Sequence, residues 1–308
     1  MKRLEPRRDG KGLLFDIWRN KTLWLMLIPS VLFMLVFVYY PFFSGIGLAF
    51  ENSNLVTGKS EFVGLEHFKK LLDDKDFALA LRNTLIMGVA NMVLGVVLPA
   101  GMALLLNELR LRALKRVCQV IIYLPSLFSW VVIGSIFQQM LSPTTGPVNL
   151  LIEWFGGEPI YFFAEPSIAR VLFVALAQWK GVGYGLIIYL AAITAIDPTL
   201  YEAAELDGAG RWAKMWHVTL PGIKNTIKMM LMFSMIGLLG MFDQVVVLNN
   251  GLINDEVNVV MTYIYGRGIR QMRLNFAAAA ALVVGIITLI ITLSSKKALK
   301  FGFEGGEN

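Results

Sequence analysis

The chain has 308 residues, 56% of them hydrophobic and 16% charged, with a formal net charge of +6 and a mean hydropathy of +0.62. A soluble domain carries about 25% charged residues, so this balance excludes an ordinary water-soluble globule. The single cysteine, Cys118, excludes an internal disulfide and a cysteine metal cluster and is given a structural role.

Six apolar runs have the length that crosses a ~30 Å hydrocarbon core at ~1.5 Å per residue. In lipid they must be helices, because no water is there to satisfy an open backbone. They are 22–43, 83–107, 117–140, 168–196, 227–248 and 276–295. The expected fold is an all-α membrane protein of six transmembrane helices. One domain covers 22–295, between an N-terminal arm (1–21) and a tail (296–308).

In chain order, the arm is basic, and the first run is too long for a signal-peptide core and ends in Tyr39-Tyr40-Pro41. It is read as a retained helix with its tyrosines at the outer interface. Residues 44–82 are expected as an outer loop, with an amphipathic stretch over 65–72 forming a short surface helix. The connection after the second run carries Arg110, Arg112, Lys115 and Arg116. After the third run, residues 141–167 open on a turn-forming Ser142-Pro143-Thr144-Thr145-Gly146-Pro147 and continue with Trp154, Phe155, Tyr161, Phe162 and Phe163. Those aromatics fit the membrane interface or something that docks there. Lys and Arg divide 18 against 8 between the two sets of connections, which places both termini in the cytoplasm. A charge so distributed calls for no nucleic-acid partner.

The fourth run contains Gln178-Trp179-Lys180-Gly181-Val182-Gly183-Tyr184-Gly185 about halfway through. A Lys at that depth costs roughly 2.5–3.5 kcal/mol on insertion scales unless it meets a polar cavity or a partner. The alternate glycines either weaken the helix or let a neighbour approach closely. Two readings follow: a helix lining a water-accessible path, or a snorkelling Lys among packing glycines. Asp243-Gln244, in the fifth run, lies nearer the outer face; a Lys180–Asp243 pair is conceivable.

Between the fourth and fifth runs, 197–226 reads as a helix–turn–helix elbow on the cytoplasmic face. Pro198 suits a first helical position after Asp197, and Thr199 and Glu202 have capping-box spacing. Asp207-Gly208 stops the helix. A second short helix covers 211–217, and Leu220-Pro221 starts the next span. Ala203 and Ala204 leave one side smooth. Inter-span packing and docking of another protein both fit this shape. DNA binding does not, since the elbow is tethered between spans and carries few basic residues.

Glu202-Ala203-Ala204, then Gly208, then Val218-Thr219-Leu220-Pro221 resembles the EAA loop of ABC importer permeases. The fuller Tyr201–Ala209 segment resembles the carbohydrate-uptake group, which includes maltose- and glycerol-phosphate-type permeases. Met215 departs from that group's usual Phe. Gly146-Pro147-Val148-Asn149 is similar to its outer turn. Phe242-Asp243-Gln244 with Leu248-Asn249-Asn250-Gly251 is similar to the end of its fifth span, although the usual Gly-Gly-Pro is here Gly251-Leu252-Ile253.

The resemblance implies an inner-membrane permease subunit for a sugar, oligosaccharide or sugar-phosphate. Its implied partners are a second, non-identical permease, two ATPase subunits, an extracytoplasmic solute-binding protein and membrane lipid. Glu202, Ala203, Ala204, Asp207, Gly208, Leu220 and Pro221 would couple to the ATPase. Gln178, Trp179, Lys180, Gly181, Tyr184, Asp243 and Gln244 are the candidates for the solute path, with Trp179, Gly181 and Tyr184 at positions where the maltose-type permease touches substrate. No Gly-x-x-x-x-Gly-Lys-Ser/Thr loop is in the sequence. ATP and Mg are thus expected on the partner, with no cofactor on this chain and no enzymatic site of its own. His67 and His217 fall on opposite sides of the membrane, which leaves no catalytic constellation. The rival reading is a secondary transporter or channel, which would need its own coupling-ion site and usually a repeat of spans.

Overall fold

The computed structural model describes residues 21–53 and 60–299. The expected arm before residue 21, Lys59 and the tail beyond 299 lie outside the described residues. In chain order, α1 (Lys21–Leu48) is followed by a hairpin of β1 (Glu51–Ser53) and β2 (Ser60–Phe62), then α2 (Glu66–Leu72). α3 (Lys75–Asn107) leads to α4 (Arg112–Leu127), α5 (Trp130–Met140), α6 (Pro147–Trp154) and α7 (Pro166–Thr194). α8 (Pro198–Leu206) and α9 (211–222) form an elbow before α10 (Lys224–Ile236). α11 (Asp243–Leu248), α12 (Asn254–Val257) and α13 (260–270) precede α14 (Leu274–Ala298).

Four helices, α1, α3, α7 and α14, are long and apolar enough to cross a membrane, and the α4–α5 pair makes a fifth if its 104° bend lies within one span. The expected third and fifth runs are therefore not straight helices. In the third, Pro125 cannot donate to the helical ladder. The chain tightens to a 3-10 turn over Leu124–Leu127, and Ser129 restarts the helix by accepting from Val132 N–H at 3.4 Å. In the fifth, residues 237–242, with Gly237 and Gly240, separate α10 from α11. Widened π turns at Leu35–Tyr39 and Met215–Thr219 each end two residues before a proline, Pro41 or Pro221. Shifting the ladder to i→i+5 relieves the clash of a proline ring with the carbonyl four residues back.

Two further expectations need correction. The fold is not purely helical, because β1 and β2 pair antiparallel with Glu51 opposite Phe62. The 44–82 loop is shortened from both sides by α1 and α3. The short amphipathic surface helix expected over 65–72 is α2: Glu66, Lys69, Lys70 and Leu72 are exposed, while His67 and Leu71 form its buried face, with the His67 Nε2 3.0 Å from the Glu51 carbonyl oxygen.

α3 and α7 make the most extensive helix pair and run side by side in the same direction. Three apolar clusters form along them. Met87, Phe173, Val245, Leu248 and Val257 pack α3 and α7 against α11 and α12. Phe77, Leu239, Val260, Tyr263 and Ala280 join α3 to α13 and α14. Ala103, Leu186, Tyr189, Leu190 and Ile223 close the end nearer the elbow. α1 has no buried residue in its apolar window; its C-terminal end packs against α14, where Asn275 donates to the Leu48 carbonyl oxygen at 3.1 Å.

At the hairpin end, Asp74 ties three elements together. One carboxylate oxygen caps α3, accepting from Asp76 N–H at 2.8 Å and Phe77 N–H at 3.2 Å. The other accepts from Tyr263 Oη at 2.7 Å and the Arg267 guanidinium at 3.1 Å. Burial alone would raise its pKa, but the Tyr263, Phe77 and Asp76 bonds and the Arg267 charge together hold it below the ordinary carboxylate value. Such a depressed group stabilises fully above that ordinary value and loses its effect as pH falls through the folded-state pKa. Asp74→Ala should cost ~1–3 kcal/mol, with hydrogen exchange rising first over 260–270. The gap from wild type should hold from neutral pH down to about pH 5 and close only in stronger acid.

Candidate functional site

The midpoint of α7 is where the chain departs most from what lipid favours. The helix stays unbroken through its glycines, so the close-approach reading holds there and the weakening one does not. A Cβ at Gly183 would lie 2.4 Å from the Ile122 carbonyl oxygen, and one at Gly185 would lie 2.8 Å from Pro99 Cβ. These positions let α4 and α3 reach the α7 backbone. Gly181 differs, with nothing within 4 Å of a built Cβ; it lies on an open face.

Lys180 sits where α4 breaks. Its Nζ donates to the Ser126 carbonyl oxygen at 3.2 Å and lies 5.7 Å from the Trp130 ring centroid. Ser126 is in the 3-10 turn, so the bend at Pro125 supplies the carbonyl that receives the ammonium. No Lys180–Asp243 ion pair forms among the described residues. Trp179 packs edge-on against Phe137, with ring centroids 5.1 Å apart at 82°, and Tyr184 is 65% exposed. Gln178 donates to Asn91 Oδ1 at 2.7 Å, and Asn91 donates to Met241 Sδ at 3.4 Å. That polar chain crosses from α7 through α3 to the break after α10.

Asp243 is exposed at the start of α11, while Gln244 is buried and donates to the Phe173 carbonyl oxygen at 2.7 Å. Gln244 therefore pins α11 to α7 rather than facing open space. Phe173 is seven residues from Lys180, which sets Asp243 roughly 10 Å along the bundle from the ammonium. The structure thus brings Gln178, Trp179, Lys180, Gly181 and Tyr184 to one stretch and leaves the Asp243–Gln244 pair at another level. Ser126, Trp130, Phe137 and Asn91 belong to the same site but escaped the sequence reading. Pro125 inside one apolar run and Asn91 inside another were the available signals.

The second candidate is the elbow, at the opposite end from the hairpin. Asp197 caps α8 by accepting from Thr199 N–H at 2.9 Å, with Pro198 at the first helical position. The expected Thr199–Glu202 capping box is not formed, because Asp197 occupies the N-cap position. Gly208 ends the helix at φ +78°, with its N–H on the Glu205 carbonyl and the Ala209 N–H on that of Ala204. This is the left-handed closure that favours glycine. Tyr201 Oη and Thr219 Oγ1 meet at 3.0 Å across the elbow, and Lys214 pairs with Glu205. The hydrogen bond and charge of Lys214 hold the Glu205 carboxyl below its usual range.

Glu202, Ala203, Asp207, Gly208 and Pro221 are exposed; Ala204 and Leu220 are half-buried. Leu206 at the tip is 91% exposed and Trp212 is 69% exposed, a large apolar surface that the sequence reading did not single out. His217 is exposed, with its Nδ1 3.0 Å from the Ala213 carbonyl oxygen.

Comparison with known proteins covers both places. The family model described as "Binding-protein-dependent transport system inner membrane component" matches residues 93–299. The chain is 38% identical over 303 residues to the polygalacturonan/rhamnogalacturonan transport system permease protein YteP of Bacillus subtilis, covering 97% of this chain and 94% of that one. It is 32% identical to the lactose transport system permease protein LacF of Rhizobium radiobacter, over 88% of this chain and 91% of that one. Among solved structures, a chain of a bacterial alginate ABC transporter, in complex with an alginate pentasaccharide-bound periplasmic protein, superposes with a TM-score of 0.85. It is 32% identical, with 92% of this chain and 96% of that chain covered.

The glycines of α7 provide a paired test of the packing. Gly183→Ala should destabilise by ~2 kcal/mol or more, since backbone must move to admit the methyl group. Gly181→Ala, with open space around it, should be neutral or gain up to ~1 kcal/mol of helix stability. Thermal melting of both variants in the same detergent separates the two.

Proposed function

The chain belongs to the family of binding-protein-dependent transport system inner membrane components, and from that premise we propose a specific working arrangement. It is one of two membrane subunits of an ATP-driven importer for an oligosaccharide, crossing the inner membrane six times with both termini in the cytoplasm. The broken runs α4–α5 and α10–α11 each count as one crossing. The 18-to-8 division of Lys and Arg supports that orientation, and puts the hairpin outside and the elbow inside. The names of its relatives, a polygalacturonan system and a lactose system among them, support a saccharide cargo.

The observation that carries the reading is the elbow. It is a capped, internally braced helix pair that projects Glu202, Ala203, Leu206 and Asp207 away from the bundle. A segment that served inter-span packing would bury Leu206. In the proposed arrangement it docks into a cleft of one of two cytoplasmic ATPase subunits, which hold ATP and Mg. Glu202 meets a basic group, and Ala203 and Ala204 admit close contact. A ligand moves an equilibrium only through differential affinity for its states, so the elbow must bind the open and closed ATPase dimer unequally. A solute-binding protein delivers cargo to the hairpin side. The second, non-identical permease covers the apolar stretch 21–44 of α1, whose residues are all exposed in this chain.

Pull-down of the tagged chain in mild detergent should recover a nucleotide-binding subunit and a second permease. Recovery of the chain alone across several detergents would favour a secondary transporter. Gly208→Pro, which cannot adopt a φ of +78°, should lower uptake at least about tenfold, on the order of 1.4 kcal/mol of coupling. Membrane insertion, read by protease protection, should stay near wild type. Equal loss of uptake and insertion would remove the coupling role.

A further inference from the structure

Lys180 is the fifteenth residue of the 29-residue helix Pro166–Thr194, so either end of the helix is about 21 Å away. A lysine side chain reaches about 6 Å, counted as five bonds, and the half-thickness of the hydrocarbon is ~15 Å. Its ammonium therefore stays at mid-depth and cannot snorkel to either interface. What it touches there is neutral: the Ser126 carbonyl oxygen at 3.2 Å and the Trp130 ring at 5.7 Å. An ammonium has three donors, and the carbonyl takes one. The carbonyl and ring soften desolvation of the cation without cancelling its charge. Among the described residues no carboxylate pairs with it. Asp243 begins α11 roughly 10 Å further out, where the helix N-terminus favours its charge.

Aromatic side chains of a kind that suits a sugar lie close to Lys180 along the helix. Tyr184 lies one turn further along the same face and is 65% exposed. Trp179, next to Lys180 in sequence, packs edge-to-face with Phe137. Ring faces stack on the apolar faces of pyranoses, and the cation sits at their margin.

We propose that Lys180 binds the carboxylate of an acidic saccharide, a uronic-acid unit, at the midpoint of the path, with Tyr184 stacking on its ring. This rests on the permease reading above and goes beyond it by naming the chemistry of the cargo. The anion is a carboxylate rather than a phosphate. A phosphate dianion is met by several donors or a bidentate guanidinium, and here one ammonium has two N–H groups without a partner among the described residues.

The test uses the assembled transporter, with its second permease, ATPase and binding protein, in proteoliposomes. Lys180→Gln should lower uptake of trigalacturonic acid at least about tenfold, the size expected for a lost charge-assisted hydrogen bond. Lys180→Arg should keep it within about threefold. Co-purification of the partner subunits should be unchanged in both. Unchanged acid uptake in Lys180→Gln would overturn the proposal. So would loss of subunit assembly in Lys180→Gln, which would assign the ammonium to a carboxylate of the second permease. Equal loss of the acid and of its neutral methyl ester would reduce Lys180 to a structural role, and loss confined to a glycosyl phosphate would change the anion. A wild-type transporter that takes up maltotriose but no acidic saccharide overturns this proposal and leaves the permease reading standing. One that takes up no saccharide overturns the saccharide cargo itself.

Discussion

Away from water, a backbone carbonyl or N–H must find a partner, and the organisation of this bundle follows from where its helices fail to supply one. At the bend between α4 and α5, the Ser126 carbonyl receives Lys180. The irregular chain after α11 is held in the same way. Asn83 donates to the carbonyls of Asp255 and Asn258, Arg170 donates to that of Glu256, and Thr84 accepts the Val260 N–H. Gln244 holds the Phe173 carbonyl. The donors come from α3, α4's neighbour α7, and α11 itself, so polar side chains inside apolar runs are the fixings of the breaks. Losing one leaves a buried group unpaired, at about 1–3 kcal/mol.

Because those fixings belong largely to α3 and α7, these two helices form the frame to which the irregular pieces attach. α7 carries the mid-depth cluster on one stretch and continues through Ala195 and Ile196 into the elbow. From Lys180 to Asp197 is seventeen residues, about 25 Å of nearly continuous helix. In the proposed mechanism a displacement of the elbow is delivered to the solute face by that rod, without a separate relay. Gly183 and Gly185 add to the stiffness by seating α4 and α3 directly on its backbone. A helix clamped so closely moves as a body with its neighbours.

Much of this was legible in the chain. Run lengths gave α1, α3, α7 and α14, and Asp197-Pro198 with Asp207-Gly208 gave both ends of α8. The α7 cluster stood out because a charge at that depth needs a reason. What stayed hidden was long-range. Nothing local indicates that Asn83 bonds to residues 255 and 258, or that Asp74 meets Arg267 across 193 positions. The capping box at Thr199 was misassigned because Asp197 and Thr199 both suit an N-cap, and a shift of two residues decides between them. The breaks at 124–129 and 237–242 were missed because hydropathy counts apolar atoms, and both segments remain apolar while their backbones depart from the helix. Pro125, Gly237 and Gly240 carried that information.

The treatment of charge differs between the ends of the bundle and its middle. Near the hairpin, Arg267 meets Asp74 and Asp76, and Arg170 meets Glu256; at the elbow, Lys214 meets Glu205. These are places where water helps and pairing is least needed, yet anions are supplied. At the midpoint, where an unpaired cation is most costly, the chain supplies a carbonyl and an indole. Packing alone does not require that choice, since Met or Leu would fill the volume at lower cost. A permanent internal carboxylate would neutralise the ammonium and remove its attraction for anything entering the path. A neutral cradle keeps the cation in place and leaves its field directed at the open face, which is what transient capture of an anionic solute demands.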